Sequence, residues 1–218
     1  MADLKLNNIT PNGVGKIKLG SSDVQKIYNG STLVWPTSST PAPCTGYVFL
    51  TKQELQQAVN EWYDNPVSAE STYGQINTWC TQNITDMSEL FLDKYSFNDD
   101  ISDWDVSNVT TMYRMFWDAS TFNQNINSWD VSSVNNMELM FYRASAFNQP
   151  LNNWNVGNVT NMSRMFLNAD SFNQDIGSWD VSNVTDMWGM FEDTIAFNQD
   201  IGSWDVSSVT NMNNMFSG

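Results

Sequence analysis

Apolar positions from residue 79 onward recur with a fixed step. Tryptophan stands at Trp79, Trp104, Trp129, Trp154, Trp179 and Trp204, each 25 residues after the last. Methionine keeps that step from Met87 to Met212 and phenylalanine from Phe91 to Phe216, without an insertion between copies. A constant period of about 20–50 residues marks a repeat architecture, whose units cannot bury an apolar face alone and stack on their neighbours. Within the copies, Ile101, Ile126, Leu151, Ile176 and Ile201 precede each tryptophan by three, and Val106, Val131, Val156, Val181 and Val206 follow it by two. The pattern I-x-x-W-x-V has the L-x-x-L-x-L spacing of a leucine-rich repeat and predicts a short strand on a curved inner face. The following V-T-x-M-x-x-M-F sets apolar residues at helical or 3₁₀-like intervals, suiting the outer side. The expected fold is an α+β repeat solenoid, leucine-rich-repeat-like, with 25-residue coils over residues 79–218.

Other patterning governs the rest of the chain. Residues 1–36 alternate apolar and polar positions in LKLNNIT and GKIKLG, and VQKIYNGSTLVW places Asn29-Gly30 between two alternating runs. That dipeptide in that setting predicts a β-hairpin, so a small all-β module is expected here. PTSSTPAP lies within or beside a linker over residues 37–46, extended by proline and solvated by Ser and Thr. A helical N-cap is expected over residues 47–78. Thr51 and Glu54 have capping-box spacing, and Leu50 with Leu55 the spacing of a hydrophobic staple. Leu55, Ala58, Val59 and Trp62 fall on one helical face, and Asn65-Pro66 ends the helix because the residue before proline leaves the α region. Such a helix would cover the first coil.

The recurring apolar residues are candidate core, worth about 1.5–3 kcal/mol per large side chain buried. The Asn after each Phe, as at Asn98 and Asn123, predicts a buried amide ladder between coils. Pro150 fills a slot held elsewhere by Asp100, Asn125, Asp175 or Asp200, so that slot makes no essential backbone donation. On a strand that points Trp and Val inward, the alternate residues face out. Asp103, Asp105 and Ser107, Asp130 and Ser132, Asn155, Asp180 and Ser182, and Asp205 and Ser207 then form polar columns, the candidate binding site. Such columns offer hydrogen bonds to sugar hydroxyls and oxygen ligands to Ca²⁺. The same residues also serve as turn caps on a soluble sheet, and both readings stay open. Asn153, Asn155 and Gly157 break the acidic pattern, which speaks against a strict carboxylate site.

Charge narrows the classes. The chain carries a net charge of −15, yet residues 1–36 hold Lys5, Lys16, Lys18 and Lys26 against Asp3 and Asp23, a net of +2 that leaves −17 for the remainder. Nucleic acid and anionic membrane are therefore not expected as partners. No apolar run is long enough to cross a bilayer. The opening MADLKLNNIT lacks the basic stretch and apolar core of a secretory signal, so the chain is expected inside the cell, exported without a cleaved signal, or carried outward on a particle. There is no histidine, Cys44 and Cys80 have no imidazole partner, and carboxylate pairs such as Asp103/Asp105 recur as repeat letters, so no enzymatic activity and no obligatory cofactor are expected. The two cysteines pair as a disulfide or sit as small buried side chains, and sequence leaves both open. Asn-x-Thr sites such as Asn108 to Thr110 fall inside the repeated letters and read as structural. The final copy stops at Ser217-Gly218, which sets Met212, Met215 and Phe216 at an open face that the half-coil itself or another chain would cover.

Two resemblances add to this. The consensus M-F-x-x-A-x-x-F-N-Q-D-I-x-x-W-D-V-S-N-V-T-x-M, over about residues 47–218, resembles the mycoplasma-type surface lipoprotein repeat family of unknown function, grouped with bacterial surface-protein leucine-rich repeats. The resemblance implies a solenoid associated with cell or particle surfaces and no enzymatic activity. The chain departs from that family in lacking a lipobox. Lys26, Ile27, Tyr28, Gly30, Val34 and Trp35 match a "KIY-G-x-x-x-VW" hairpin that resembles modules of bacteriophage tail and other structural proteins. The expectation is a non-enzymatic virion component, a tail or head fibre or decoration protein, at the virion surface. It would dock on virion proteins through residues 1–36 (Lys16, Lys18, Lys26, Tyr28 and Trp35) as part of an oligomeric assembly, and meet a host glycan or protein through the solenoid. The alternative is a bacterial surface or secreted adhesin with no viral connection.

Overall fold

A computed structural model describes residues 44–218 and, in the N-terminal part, the backbone of four short strands. The chain divides into two compact units, Met1–Pro43 and Cys44–Gly218. In the first, β1 (Ile17–Leu19) pairs antiparallel with β2 (Ser22–Val24), and β3 (Ile27–Asn29) with β4 (Thr32–Trp35). Asn29 itself pairs with Thr32 at the end of this ladder, and Gly30 lies outside the described residues. Lys18, Tyr28 and Trp35 lie in β1, β3 and β4, while Lys16 and Lys26 fall outside the described residues.

The second unit begins with α1 (Lys52–Asp64). The Thr51 hydroxyl caps it by accepting the Glu54 N–H at 3.2 Å, and Leu55, Ala58, Val59 and Trp62 are its buried face. Leu50 stays 68% exposed, so the expected staple onto Leu55 does not close. The Glu54 carboxylate instead accepts the Leu50 N–H at 3.0 Å. Asn65 ends α1 and at once caps α2 (Pro66–Tyr73), a second helix that uses proline where its missing N–H costs nothing. From α1, Lys52 reaches Asp86 at 3.1 Å, Gln56 donates to the Leu90 carbonyl at 3.0 Å, and the Trp62 indole donates to Asp99 at 3.1 Å. A disulfide joins Cys44 to Cys80, with Cα atoms 5.7 Å apart, beside a parallel bridge between Val48 and Cys80.

From residue 86 onward, 25-residue units pair in register through parallel bridges at Asp86, Thr111, Asn136, Asn161, Asp186 and Asn211. The predicted strand is misplaced. I-x-x-W and the following V-x-x-V each close a turn, with Trp104 N–H on the Ile101 carbonyl (3.2 Å) and Val109 N–H on that of Val106 (2.9 Å). These turns bury Ile101, Trp104, Val106 and Val109 together, so the W-x-V step that a strand would also turn inward is met here without one.

Pairing between units runs instead through the methionine–phenylalanine stretch. Met87, Glu89, Phe91 and Asp93 donate to the carbonyls of Thr111, Tyr113, Met115 and Trp117 at 2.8–3.1 Å, and the same four links join every later pair of units. Thr111 C=O and Met112 N–H belong to one peptide group, which accepts from the unit before and donates to the unit after. Such groups stand along the stack and all point one way. The backbone achieves this with left-handed residues four apart in each unit, such as Arg114 (φ 53°) and Asp118 (φ 55°), or Leu139 (φ 59°) and Arg143 (φ 55°). This conformation costs a non-glycine residue about 1 kcal/mol or more.

The core is a pair of aromatic columns. Phe91, Phe116, Phe141, Phe166, Phe191 and Phe216 stack at 5.2–5.8 Å, and Phe97, Phe122, Phe147, Phe172 and Phe197 at 5.8–6.2 Å. The columns touch within each unit, as at Phe141 and Phe147 (4.2 Å). Each indole from Trp104 to Trp204 donates to the carbonyl 28 residues earlier, at 2.8–3.2 Å. The Asn ladder is present, half-buried at Asn123, Asn148 and Asn173 and exposed at its ends, each Asn oxygen from Asn98 to Asn173 accepting the N–H of the next Asn at 2.8–3.0 Å. In the last copy Met215 is buried, while Met212 and Phe216 are 40% and 61% exposed.

Candidate functional site

The polar columns are occupied by their own turns. Asp105 Oδ1 accepts the Ser107 N–H (3.0 Å) and hydroxyl (2.6 Å), and Asp180 accepts the same pair from Ser182 (3.1 and 2.7 Å). Asp130, Asn155 and Asp205 likewise accept the N–H of Ser132, Gly157 and Ser207 at 3.0–3.2 Å. These are Asx turns, in which the side chain holds the backbone two residues on. Hydrogen bonds from the Ser182 hydroxyl and then its N–H hold the Asp180 carboxyl below its ordinary range, and Ser207 does the same for Asp205. Both residues are exposed, as is Asp103.

The neighbouring slot repeats the device. Asp100, Asn125, Asp175 and Asp200 accept the N–H of Ser102, Asn127, Gly177 and Gly202 at 2.9–3.0 Å. Pro150 replaces that acceptor with a fixed φ. Among the described residues no three His, Cys, Asp or Glu side chains are grouped to hold a metal ion. The Asn108 and Asn183 amides of the Asn-x-Thr sites donate to the Gln82 and Gly157 carbonyls of the preceding unit, at 2.8 and 2.7 Å. Of the two uses open to these columns, the structure displays the turn cap.

A different group of residues is brought together by the drift between copies. Counted from each repeat methionine, the first, second, fifth, sixth and eighth positions vary widely, and almost every other position holds one residue or a near equivalent. That window contains Tyr95, Tyr113, Trp117, Tyr142 and Trp188, and all three arginines of the chain, Arg114, Arg143 and Arg164. The Arg114 guanidinium lies 4.7 Å from the Tyr113 ring centre and 4.5 Å from that of Trp117. Arg143 lies 5.1 Å from Tyr142, and Arg164 only 3.5 Å from Trp188. Trp117 and Tyr142 touch across the unit boundary at 4.2 Å.

The charges here are loosely matched. Arg114 meets Glu89 at 3.5 Å and Arg143 meets Asp118 at 3.9 Å, while Arg164 forms no ion pair among the described residues. The Nε atoms of Arg114 and Arg164 are buried without a hydrogen-bond acceptor. Arg114 and Arg164 occupy left-handed slots, where the next copy has Gly189 (φ 57°). A Cβ on Gly189 would stand 3.3 Å from Arg164 and 2.7 Å from the Glu192 carboxylate, so glycine keeps a notch between them. Tyr95 and Ile195, at the window's edge, are 53% and 82% exposed. Comparing copies for difference rather than for likeness would have found this group.

A family model described as "Mycoplasma protein of unknown function, DUF285" matches residues 64–170 and 150–218. No curated protein and no solved structure matches the chain.

Proposed function

We propose, for a chain that belongs to the Mycoplasma protein family of unknown function, a non-enzymatic display and attachment role. The repeat unit is a leucine-rich-repeat-like solenoid that presents one variable surface on a constant frame. The N-terminal β module docks it on a larger assembly, a phage particle bearing it as a fibre or decoration, and the solenoid attaches that particle to a host surface. The observation that carries this reading is the confinement of wide variation between copies, and of all three arginines, to one window, while Asp105, Asp180 and their counterparts outside it hold their own turns. A catalytic reading would need a singular reactive pair, and the carboxylates recur copy by copy.

The division at Pro43, the hairpins at 17–35 and the excess of lysine in residues 1–36 support a separate docking function. A second reading, a bacterial surface or secreted adhesin with no viral connection, is favoured by the family description and by the Cys44–Cys80 disulfide, a bond that persists mainly outside the reducing cytoplasm.

The test is to add the purified full-length protein, and a form lacking residues 1–36, to intact mycoplasma cells and to phage particles stripped of their own copy. Saturable cell binding by both forms, with particle binding only by the longer one, is the expected result. Cell binding without particle binding selects the second reading, and no saturable binding to cells refutes attachment.

A further inference from the structure

We propose that the Cys44–Cys80 disulfide is a mechanical strap, which carries tension arriving through residues 1–43 straight to the first coil and keeps the α1–α2 cap out of the path of load. The tension it would meet in use rests on the attachment reading; the strap itself is a property of the chain. Connectivity is the first argument. Cys44 opens the second unit, and Cys80 stands where the cap ends and the coils begin. Between them lie α1, α2 and the turn Ile76–Thr78. A pull on Cys44 therefore crosses to Cys80 through two sulfur atoms and bypasses a sequence separation of 36 residues.

The seating of residues 44–50 is the second. The Tyr47 carbonyl accepts the Cys80 N–H at 2.8 Å, the Phe49 N–H donates to the Cys80 carbonyl at 3.1 Å, and the Asn83 amide donates to the Phe49 carbonyl at 3.2 Å. A Cβ on Gly46 would collide with the Thr78 carbonyl, so glycine lets the backbone lie directly on the residues leading to Cys80. The disulfide closes over this seat at the point where a pull from the N-terminal side first arrives.

The relative strength of the fastenings is the third. Without the disulfide, those three hydrogen bonds and the packing of Phe49 on Trp79 (5.1 Å) would take the tension and pass it on to α1. That helix holds the first coil through the contacts of Lys52, Gln56 and Trp62 and through its one buried face. Neighbouring coils hold each other by four backbone bonds, an indole bond, an Asn link and two ring stacks, as at Phe116–Phe141 and Phe122–Phe147. The cap is the weaker junction and the nearer to the pulled end, so it would yield first.

Loss of the cap would reach beyond the cap itself. The Leu90 carbonyl is the counterpart of those of Met115 and Met140, and it accepts from Gln56 where they accept from the backbone of a preceding unit. Peeling α1 away removes the neighbour on which the first coil of a repeat stack depends.

The experiment pulls the full-length protein in optical tweezers, through handles joined to peptide tags at its two termini so that both cysteines are untouched. Wild type is held at a constant force at which the coils stay folded, and dithiothreitol is then added; Cys44 is exposed, so the reagent reaches the bond. The expected result is one lengthening of about 120 Å with the coils still folded, the reach of 36 residues at ~3.3–3.6 Å each less the 5.7 Å already spanned. Cys44→Ser/Cys80→Ser should show the same step below the force of coil rupture with no reductant present. A cap that stays on after reduction at every force the coils withstand overturns the inference, because the bond then adds stability alone. Lengthening that comes only with rupture of the coils overturns it too, as does an unfolded length that reduction leaves unchanged. If the serine variant does not fold, the reductant arm decides by itself. No cell or phage particle enters these traces, so failure of the strap leaves attachment standing, and failure of attachment leaves the strap.

Discussion

Tryptophan keeps its place through six copies although phenylalanine, which fills two other slots of every unit, would also bury an aromatic ring. The indole N–H supplies the reason, and Trp154 is the place to test it. Trp154 is 3% exposed, and its Nε1 donates to the Ile126 carbonyl at 3.0 Å. That carbonyl also accepts the Trp129 N–H at 3.1 Å, so removing the indole donor does not orphan it. The lost bond should then cost about 1 kcal/mol. Trp154→Phe also leaves space of about 40 Å³, worth roughly 1 kcal/mol at ~24 cal/mol per Å³. The combined loss, about 2 kcal/mol, corresponds to a fall in Tm of roughly 4–8 °C for a domain of this size. Replacing Trp154 by 3-benzothienylalanine, which keeps the bicyclic shape and lacks the donor, separates the two effects and should show about half of that fall. Thermal melts by circular dichroism on the three proteins give the answer. A benzothienyl variant that melts with wild type would refute the hydrogen-bond explanation and leave ring volume as the cause.

Further outcomes follow from the same structure. Phe141 is fully buried between Phe116 and Phe166, so Phe141→Ala should cost about 3–5 kcal/mol, while Phe216→Ala, at a residue 61% exposed with one ring neighbour, should cost well under half as much. Equal losses in denaturant titration would contradict the packing described. The Cys44–Cys80 bond closes a separation of 36 residues, so Cys44→Ser/Cys80→Ser should lower stability by about 3–4 kcal/mol and abolish any effect of reductant on the melt; an unchanged melt refutes this. Asp180 and Asp205 have lowered folded-state pKa values because Ser182 and Ser207 hydrogen-bond the charged form. Their stabilisation is present above the unfolded carboxyl pKa of about 3.9 and is lost as pH falls through the lowered folded values. Asp180→Asn/Asp205→Asn keeps the acceptor, as Asn155 does naturally, but loses the charge, so its Tm at neutral pH should fall slightly and the drop between about pH 5 and pH 3 become smaller; an undiminished acid drop counts against the assignment.

Which parts of this could be read from sequence depended on what each letter leaves ambiguous. The 25-residue step pointed directly at the residues that are buried, because Met137, Phe141 and Trp154 can be spared by water only if neighbours cover them. Thr51 and Asn65 announced their helix boundaries because short polar side chains there have a single local use. The strand expected at I-x-x-W-x-V failed because spacing records which side chains go inward and not how the backbone bends between them. Left-handed arginine and leucine, as at Arg114 and Leu139, have no sequence signal, since no residue type other than glycine, asparagine or aspartate advertises that conformation. Asp105 and its counterparts allowed two readings, ligand or turn cap, because composition does not show which way a short carboxylate folds; the structure displays the cap, with Ser107 donating to Asp105 Oδ1. The arginine and aromatic window was missed for the opposite reason: attention to identical letters hides positions whose significance is that they differ. Cys44 and Cys80 stayed undecided because pairing depends on a 5.7 Å approach that 36 residues of sequence separation does not encode.

The four backbone links between neighbouring units have one further consequence. Because every unit turns the same acceptors toward the unit before and the same donors toward the unit after, a block of 25 residues can be duplicated or deleted at any junction and the flanking units will still meet in register. Near-identical stretches such as 172–187 and 197–212 are also the places where misaligned recombination begins. Length in such a protein can therefore drift one block at a time, each block altering its reach by a single ring spacing of about 5.5 Å, and each new block arrives with its own blank set of window positions on which a new contact can be written.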